Sequence, residues 1–228
     1  MTLSITLIII IITSIISFTG FNNANVIDKL IFDPPAVANH KEWYRFFTCG
    51  FIHKDIPHLI FNMYALYLFG QGQSEHLAPG VEPIFHSIFY AKGKLLYLLM
   101  YVLALPVCLL PTYEKNKNNY NYRSLGASGA VSAVVFAYIM LNPMQGVGLI
   151  FIPIFIPGFL FGAIYLIVSY LLDRRGGGGI NHSAHIYGAL FGIAFVIIAS
   201  ALFSDYPVFN RFLESIKHFD IRRVFSGY

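Results

Sequence analysis

Six stretches of this chain are apolar and contain no Asp, Glu, Lys or Arg: residues 2–21, 56–70, 95–111, 126–142, 147–171 and 183–203. The 228 residues are 57% hydrophobic and 11% charged, against roughly 45–50% and about 25% in a soluble domain. The excess lies in long runs, and a helix crosses hydrocarbon with about 20 such residues. Every backbone polar group must be satisfied internally there, which favours helices. The pattern therefore predicts an all-α, polytopic membrane protein built as a six-transmembrane-helix bundle. The second segment is short. The fifth carries Pro153 and Pro157, so it is expected to kink or start late. The first lacks a basic n-region and a small-x-small cleavage site, and reads as a membrane helix rather than a signal peptide.

The connections are unequal. Residues 22–55 form a long first loop holding Pro34-Pro35 and the cluster Trp43-Tyr44-Arg45-Phe46-Phe47. A short amphipathic piece is expected near 84–90, residues 112–125 are polar, and Gly176–Gly179 read as a flexible linker. One domain covers 1–228, with a core of approximately 42–203 and a polar tail over 204–228. Net charge is +4, and the basic residues fall in loops and at the C-terminus. Anionic lipid headgroups account for them better than nucleic acid, for which no basic-aromatic pattern is present. Lys and Arg do not favour a cytoplasmic N-terminus, so loop charge leaves orientation open. Cys49 and Cys108 have neither a disulfide pattern nor a metal-type spacing.

Against this background a few polar side chains stand out. Ser128 sits in Gly126-Ala127-Ser128-Gly129 at the mouth of the fourth segment. His185 sits in Ala184-His185-Ile186-Tyr187-Gly188 at the mouth of the sixth, with Gly192 one turn beyond Gly188. His58 and Asn62 occupy the first turns of the second. Alternate helices enter from one side, so all four lie within roughly 10 Å of one membrane face. Polar groups at that depth usually face each other or a cavity.

A serine needs a base to act as a nucleophile. His185 is the candidate, with His182 one turn earlier as the alternative. No segment contains a carboxylate, so the expectation is a Ser-His dyad rather than a triad. Gly188 and Gly192 make the sixth helix slim on the histidine side, and Gly126, Ala127, Gly129 and Ala130 do the same for the fourth. The Ser128 backbone N–H, His58 and Asn62 are candidate donors to an oxyanion.

Taken singly, each feature has a plain packing explanation: a membrane serine bonding its own backbone, a Gly-x-x-x-Gly contact, an interfacial Trp43. Their co-location weighs against that. No H-E-x-x-H is present for a zinc protease, and Ala130 breaks the soluble-hydrolase G-x-S-x-G. No metal or organic cofactor is expected.

In this order and on these segments, His53-x4-His58-x3-Asn62, Gly126-x-Ser128-Gly129 and Ala184-His185-x-x-Gly188-x-x-x-Gly192 resemble the rhomboid intramembrane serine proteases. The resemblance covers roughly residues 42–203. It implies that Ser128 is the nucleophile, His185 the general base, and His58 with Asn62 the oxyanion donors. It implies supporting roles for Gly126, Gly129, Gly188, Gly192, Trp43 and Arg45, although Tyr44 separates a Trp-Arg pair that is usually adjacent. Gly70 and Glu75 resemble the Gly/Glu pattern after the second helix. The implied activity is an endopeptidase cleaving transmembrane segments of membrane proteins, with the bilayer as its other partner. The expected location is multi-pass, in a bacterial inner (plasma) membrane.

Two alternatives belong to other classes: an inactive relative that escorts membrane proteins, and a solute channel or haem/metal carrier. One position departs from the pattern. Where family members carry a Tyr four residues after the nucleophile, stacked on the base, this chain has Ser132.

Overall fold

A computed structural model describes residues 4–72, 78–149, 152–176, 179–217 and 219. Among them the architecture is an all-α bundle with one small hairpin. The first helix, α1 (Ile5–Phe21), starts at Ser4, whose hydroxyl accepts from the Leu7 N–H. Its remaining free N–H groups meet a buried carboxylate from α6 (Val81–Phe89). Glu82 accepts from Ile5 N (2.8 Å), Thr6 N (2.9 Å), Thr6 Oγ1 (2.7 Å) and Ser4 Oγ (2.7 Å). A carboxylate at a helix N-terminus satisfies orphan donors and complements the helix dipole, which ties α1 to α6.

The expected first loop is largely helical: α2 (Ala24–Leu30), α3 (Pro34–His40), α4 (Arg45–Thr48) and a 3-10 turn over Cys49–Phe51. Local chemistry explains two of these. Asn23 caps α2, and Asp33 accepts from Ala36 N at 3.1 Å just ahead of Pro34, where a missing N–H costs nothing. Asp55 caps α5 (Ile56–Leu66) through the His58 N–H at 2.8 Å, and a π-helical turn over Tyr67–Gln71 ends that helix. The third predicted segment extends further than its apolar run, as α7 (Gly93–Asn116), continuing through Pro106 and Pro111.

The fifth segment is where structure departs most from expectation. Residues 147–149 and 152–157 are not helical. β1 (Gly146–Leu149) and β2 (Ile152–Pro157) pair antiparallel, with Val147 opposite Ile156 and Gly148 opposite Phe155. Prolines at 153 and 157 remove two helix donors, and the Ile- and Phe-rich residues between them suit a strand. The helix, α9 (Gly158–Arg175), starts only after Pro157. α10 (His182–Phe203) and the amphipathic α11 (Val208–Lys217) are the last helices among the described residues, so part of the expected polar tail is helix.

Val81–Asn116 and His182–Phe203 are long and apolar enough to cross a membrane; Ile5–Phe21 and Ser128–Leu141 are apolar but shorter. α8 (Ser128–Leu141) is the centre, with 11 of its 14 residues buried. α10 packs on it through glycine: a Cβ at Gly188 would fall on the Gly129 carbonyl, and one at Gly192 on that of Ala133. α9 is the opposite case, burying only Gly158, Gly162 and Ser169. Gly70 packs against Tyr97 and Thr6, while Glu75 lies outside the described residues.

Candidate active site

α5, α8 and α10 begin at one end of the bundle, beneath the helical first loop. The loop is fixed there by backbone. Phe32 and Ser124 exchange two hydrogen bonds (3.0 and 3.1 Å), and Gly126 N donates to Cys49 O at 2.9 Å. Gly126 has φ +114°, and a Cβ there would lie 2.7 Å from His58 Cε1. Only glycine takes that backbone and that contact without strain.

The chain then turns into α8 with Ser128 as its first helical residue. Ser128 Oγ lies 2.7 Å from His185 Nε2. Sequence left His182 open as the alternative base. Its ring stands edge-on to that of His185 at 5.8 Å, and the bond to the serine is made by His185. Both Ser128 and His185 are partly exposed. For Nε2 to accept the serine proton, the other ring nitrogen carries the hydrogen.

Asn181 fixes the start of α10. Its Oδ1 accepts from Ala184 N (3.0 Å) and from Thr112 Oγ1 (3.1 Å), linking the cap to α7. A cavity of about 20 Å³ lies behind the serine, bordered by Cys108, Ser128, Gly129, Asn181 and Ala184. That is room for a single water.

His58 and Asn62 flank the site from α5. The His58 ring reaches the Gly126 backbone. Asn62 is buried, and its Nδ2 donates to His58 O at 2.9 Å, so one of its two N–H bonds is already committed to its own helix. Trp43 is 54% exposed and stacks on Phe46, with Tyr113 beside it. Arg45 is buried. Its Nη1 donates to Asp28 O and Ile31 O (both 2.8 Å), and its Nε pairs with Glu42. The guanidinium therefore staples the C-terminal end of α2 and touches none of the polar groups around Ser128. That hydrogen bond holds the Glu42 carboxyl below the usual carboxylate range.

The sequence assigns no role to three residues that reach this site: His53, Ser17 and Tyr165. His53, fully buried, accepts from Ala127 N with Nε2 at 3.4 Å. Its Nδ1 then carries the proton and donates to Ser17 Oγ (2.9 Å), which donates to Phe51 O (3.0 Å). A proton-matched chain thus runs from α1 to Ala127, the residue before Ser128. The third is Tyr165 on α9. Its ring stacks on His185 at 6.3 Å and 26°, and its hydroxyl shares a 2.9 Å hydrogen bond with Ser132 Oγ.

Residues 40–202 match the family model described as Rhomboid domain. The chain is 30% identical to the RHOMBOID-like protein 12, mitochondrial, of Arabidopsis thaliana over 148 residues, 62% of this chain and 42% of the relative. It is 27% identical to the Presenilin-associated rhomboid-like protein, mitochondrial, of Rattus norvegicus over 197 residues, 78% of this chain and 47% of the relative. The chain thus matches less than half the length of each of these two relatives. Both are mitochondrial, which gives no support to the expected bacterial inner membrane. The coarser statement holds: an integral membrane protein.

Proposed function

Because the chain belongs to the rhomboid family, we propose that it is a serine endopeptidase that cleaves transmembrane segments of membrane proteins with a Ser128–His185 dyad. The observation that carries this reading is the 2.7 Å contact between Ser128 Oγ and His185 Nε2, made between two helices whose backbones touch through glycine.

Ser128 Oγ attacks the peptide carbonyl carbon while His185 Nε2 takes the hydroxyl proton. The carbonyl oxygen becomes an oxyanion, and the Ser128 N–H at the start of α8 is free to meet it. A helix N-terminus also favours the negative charge. His58 and Asn62 are the proposed additional donors, each worth about 3 kcal/mol in comparable sites. His185 returns the proton to the departing amine. Water then attacks the acyl-enzyme, giving its proton to His185, which passes it back to Ser128 as the acid leaves. Acid–base help of this kind contributes about 10²–10⁴-fold. Among the described residues no carboxylate is bonded to His185, so its orientation must come from packing.

A fluorophosphonate probe tests the assignment. Wild-type protein should label and Ser128→Ala should not. Equal labelling of the two would remove Ser128 from the role. A wild type that neither labels nor cleaves would favour an inactive, protein-binding relative.

A further inference from the structure

We propose that Tyr165, anchored by Ser132, is the residue that orients His185, so that the base is positioned from α9 rather than from the helix carrying the nucleophile. This rests on the dyad reading above.

Ser132 lies one turn below Ser128 on α8 and is buried. Ser128 bonds His185 and Ser132 bonds Tyr165, so the two serines of one helix hold the base and the ring that faces it. The Tyr165 ring lies 26° from parallel to the imidazole, a stacked arrangement. It also packs against Phe136 at 5.5 Å and Phe161 at 6.2 Å. With its hydroxyl tied to Ser132 and its ring packed between aromatics, Tyr165 has little freedom to turn. A side chain locked by packing and a hydrogen bond is what holding a catalytic group to a fraction of an ångström requires.

α9 must come close for this to work. Gly162, one turn before Tyr165, provides the approach: a Cβ there would sit 3.2 Å from both Phe136 and Ile139. The serine at 132 also fits. An aromatic side chain at that position would occupy the place its hydroxyl now shares with Tyr165. Ser132 and Tyr165 therefore form one device split between two helices, a small polar anchor and the ring it fixes. Tyr187, next to His185 in sequence, is 43% exposed and is not among the rings stacked on the base.

The test uses the full chain in detergent and the rate of fluorophosphonate labelling, with probe concentration varied to separate half-saturation from maximal rate. Wild type must label and Ser128→Ala must not; failure here refutes the dyad reading itself. Given that, Tyr165→Ala should lower the maximal rate on the order of 10–100-fold, the loss expected from misplacing a reacting group by about 1 Å. Half-saturation should change little. Tyr165→Phe keeps the ring but loses the Ser132 anchor, so its maximal rate should fall between those of the ringless variant and wild type. Should the alanine variant not fold, Tyr165→Leu, which keeps apolar bulk without a ring, takes its place with the same expectation. Wild-type maximal rate in the ringless variant would overturn the proposal, as would a phenylalanine variant as slow as the ringless one.

Discussion

Gly188→Ala probes how the site is assembled. Gly188 follows His185 by one turn on α10 and faces the carbonyl of Gly129, the residue after Ser128. A methyl group there would overlap the carbonyl oxygen and the Gly129 backbone carbons. Backbone cannot rotate aside, so α8 and α10 must part by about 1 Å before carbon atoms regain ordinary contact near 3.5 Å. Overpacking of this kind costs about 1–3 kcal/mol. Alanine returns up to about 1 kcal/mol of helix propensity. The net destabilisation should therefore lie between about 0 and 3 kcal/mol, while the 2.7 Å Ser128–His185 contact one turn away opens. A separation near 3.6 Å is no longer a hydrogen bond, and about 1 Å of misplacement costs on the order of 10²-fold in rate. The assay is the fluorophosphonate labelling rate measured beside thermal unfolding in the same detergent. Labelling should fall far more than stability does. Gly20→Ala is the control. Its new methyl meets Ile27 Cδ1, the free end of a flexible side chain, so neither readout should move much. Wild-type labelling by Gly188→Ala would refute the claim that glycine contact sets the serine–histidine distance.

Other outcomes follow from the same geometry. His185→Ala should abolish labelling while His182→Ala keeps most of it, since only His185 contacts Ser128; the reverse pattern would move the base. Gly126→Ala must adopt φ +114° and displace the His58 ring, so it should lose roughly 1–3 kcal/mol in unfolding measurements and label poorly. Arg45→Lys keeps the charge but loses the planar fork that reaches Asp28, Ile31 and Glu42. It should cost about 1–3 kcal/mol and expose the first loop to protease, with a smaller effect on labelling. Glu42 titrates below its ordinary range because Arg45 bonds its charged form. The stability it adds is therefore present at neutral pH and lost as pH falls through that lowered value. Protease protection of the loop should drop in wild type on acidification below the ordinary glutamate range, and Glu42→Gln should flatten the dependence.

Ser128, His185, His58 and Asn62 are legible in the sequence for one reason. They are polar groups inside runs with no formal charge, and hydrocarbon makes each of them costly unless it has a partner. Gly188 and Gly192 are legible by spacing, since offsets of three and seven residues from His185 keep them on its face. The hairpin at 146–157 is not separable from a helix by hydropathy, because a buried strand and a membrane helix are equally apolar. Only the two prolines mark it. The short helices of the first loop are set by caps and by Arg45, whose contacts reach back 14 and 17 residues. Tyr165 is hidden for a different reason. It is one aromatic among many on a helix with no polar face, and its bond to Ser132 spans 33 residues. What could be read was the gap: Ser132 where an aromatic was expected.

That gap bears on how distance and orientation are controlled. The Ser128–His185 distance is set where α8 and α10 meet backbone to backbone, at Gly129–Gly188 and Ala133–Gly192. No rotamer change relaxes such a contact, so distance is the rigid variable. Orientation of the imidazole is set by a side chain on α9, a helix with only three buried residues and therefore weak anchorage of its own. A displacement of α9 would strain the contacts of Tyr165 with Ser132 and His185 while leaving the α8–α10 glycine contacts in place. Substitutions along the exposed face of α9, such as at Ile164 or Val168, are thus expected to act on the rate of the serine and not on the spacing of the dyad.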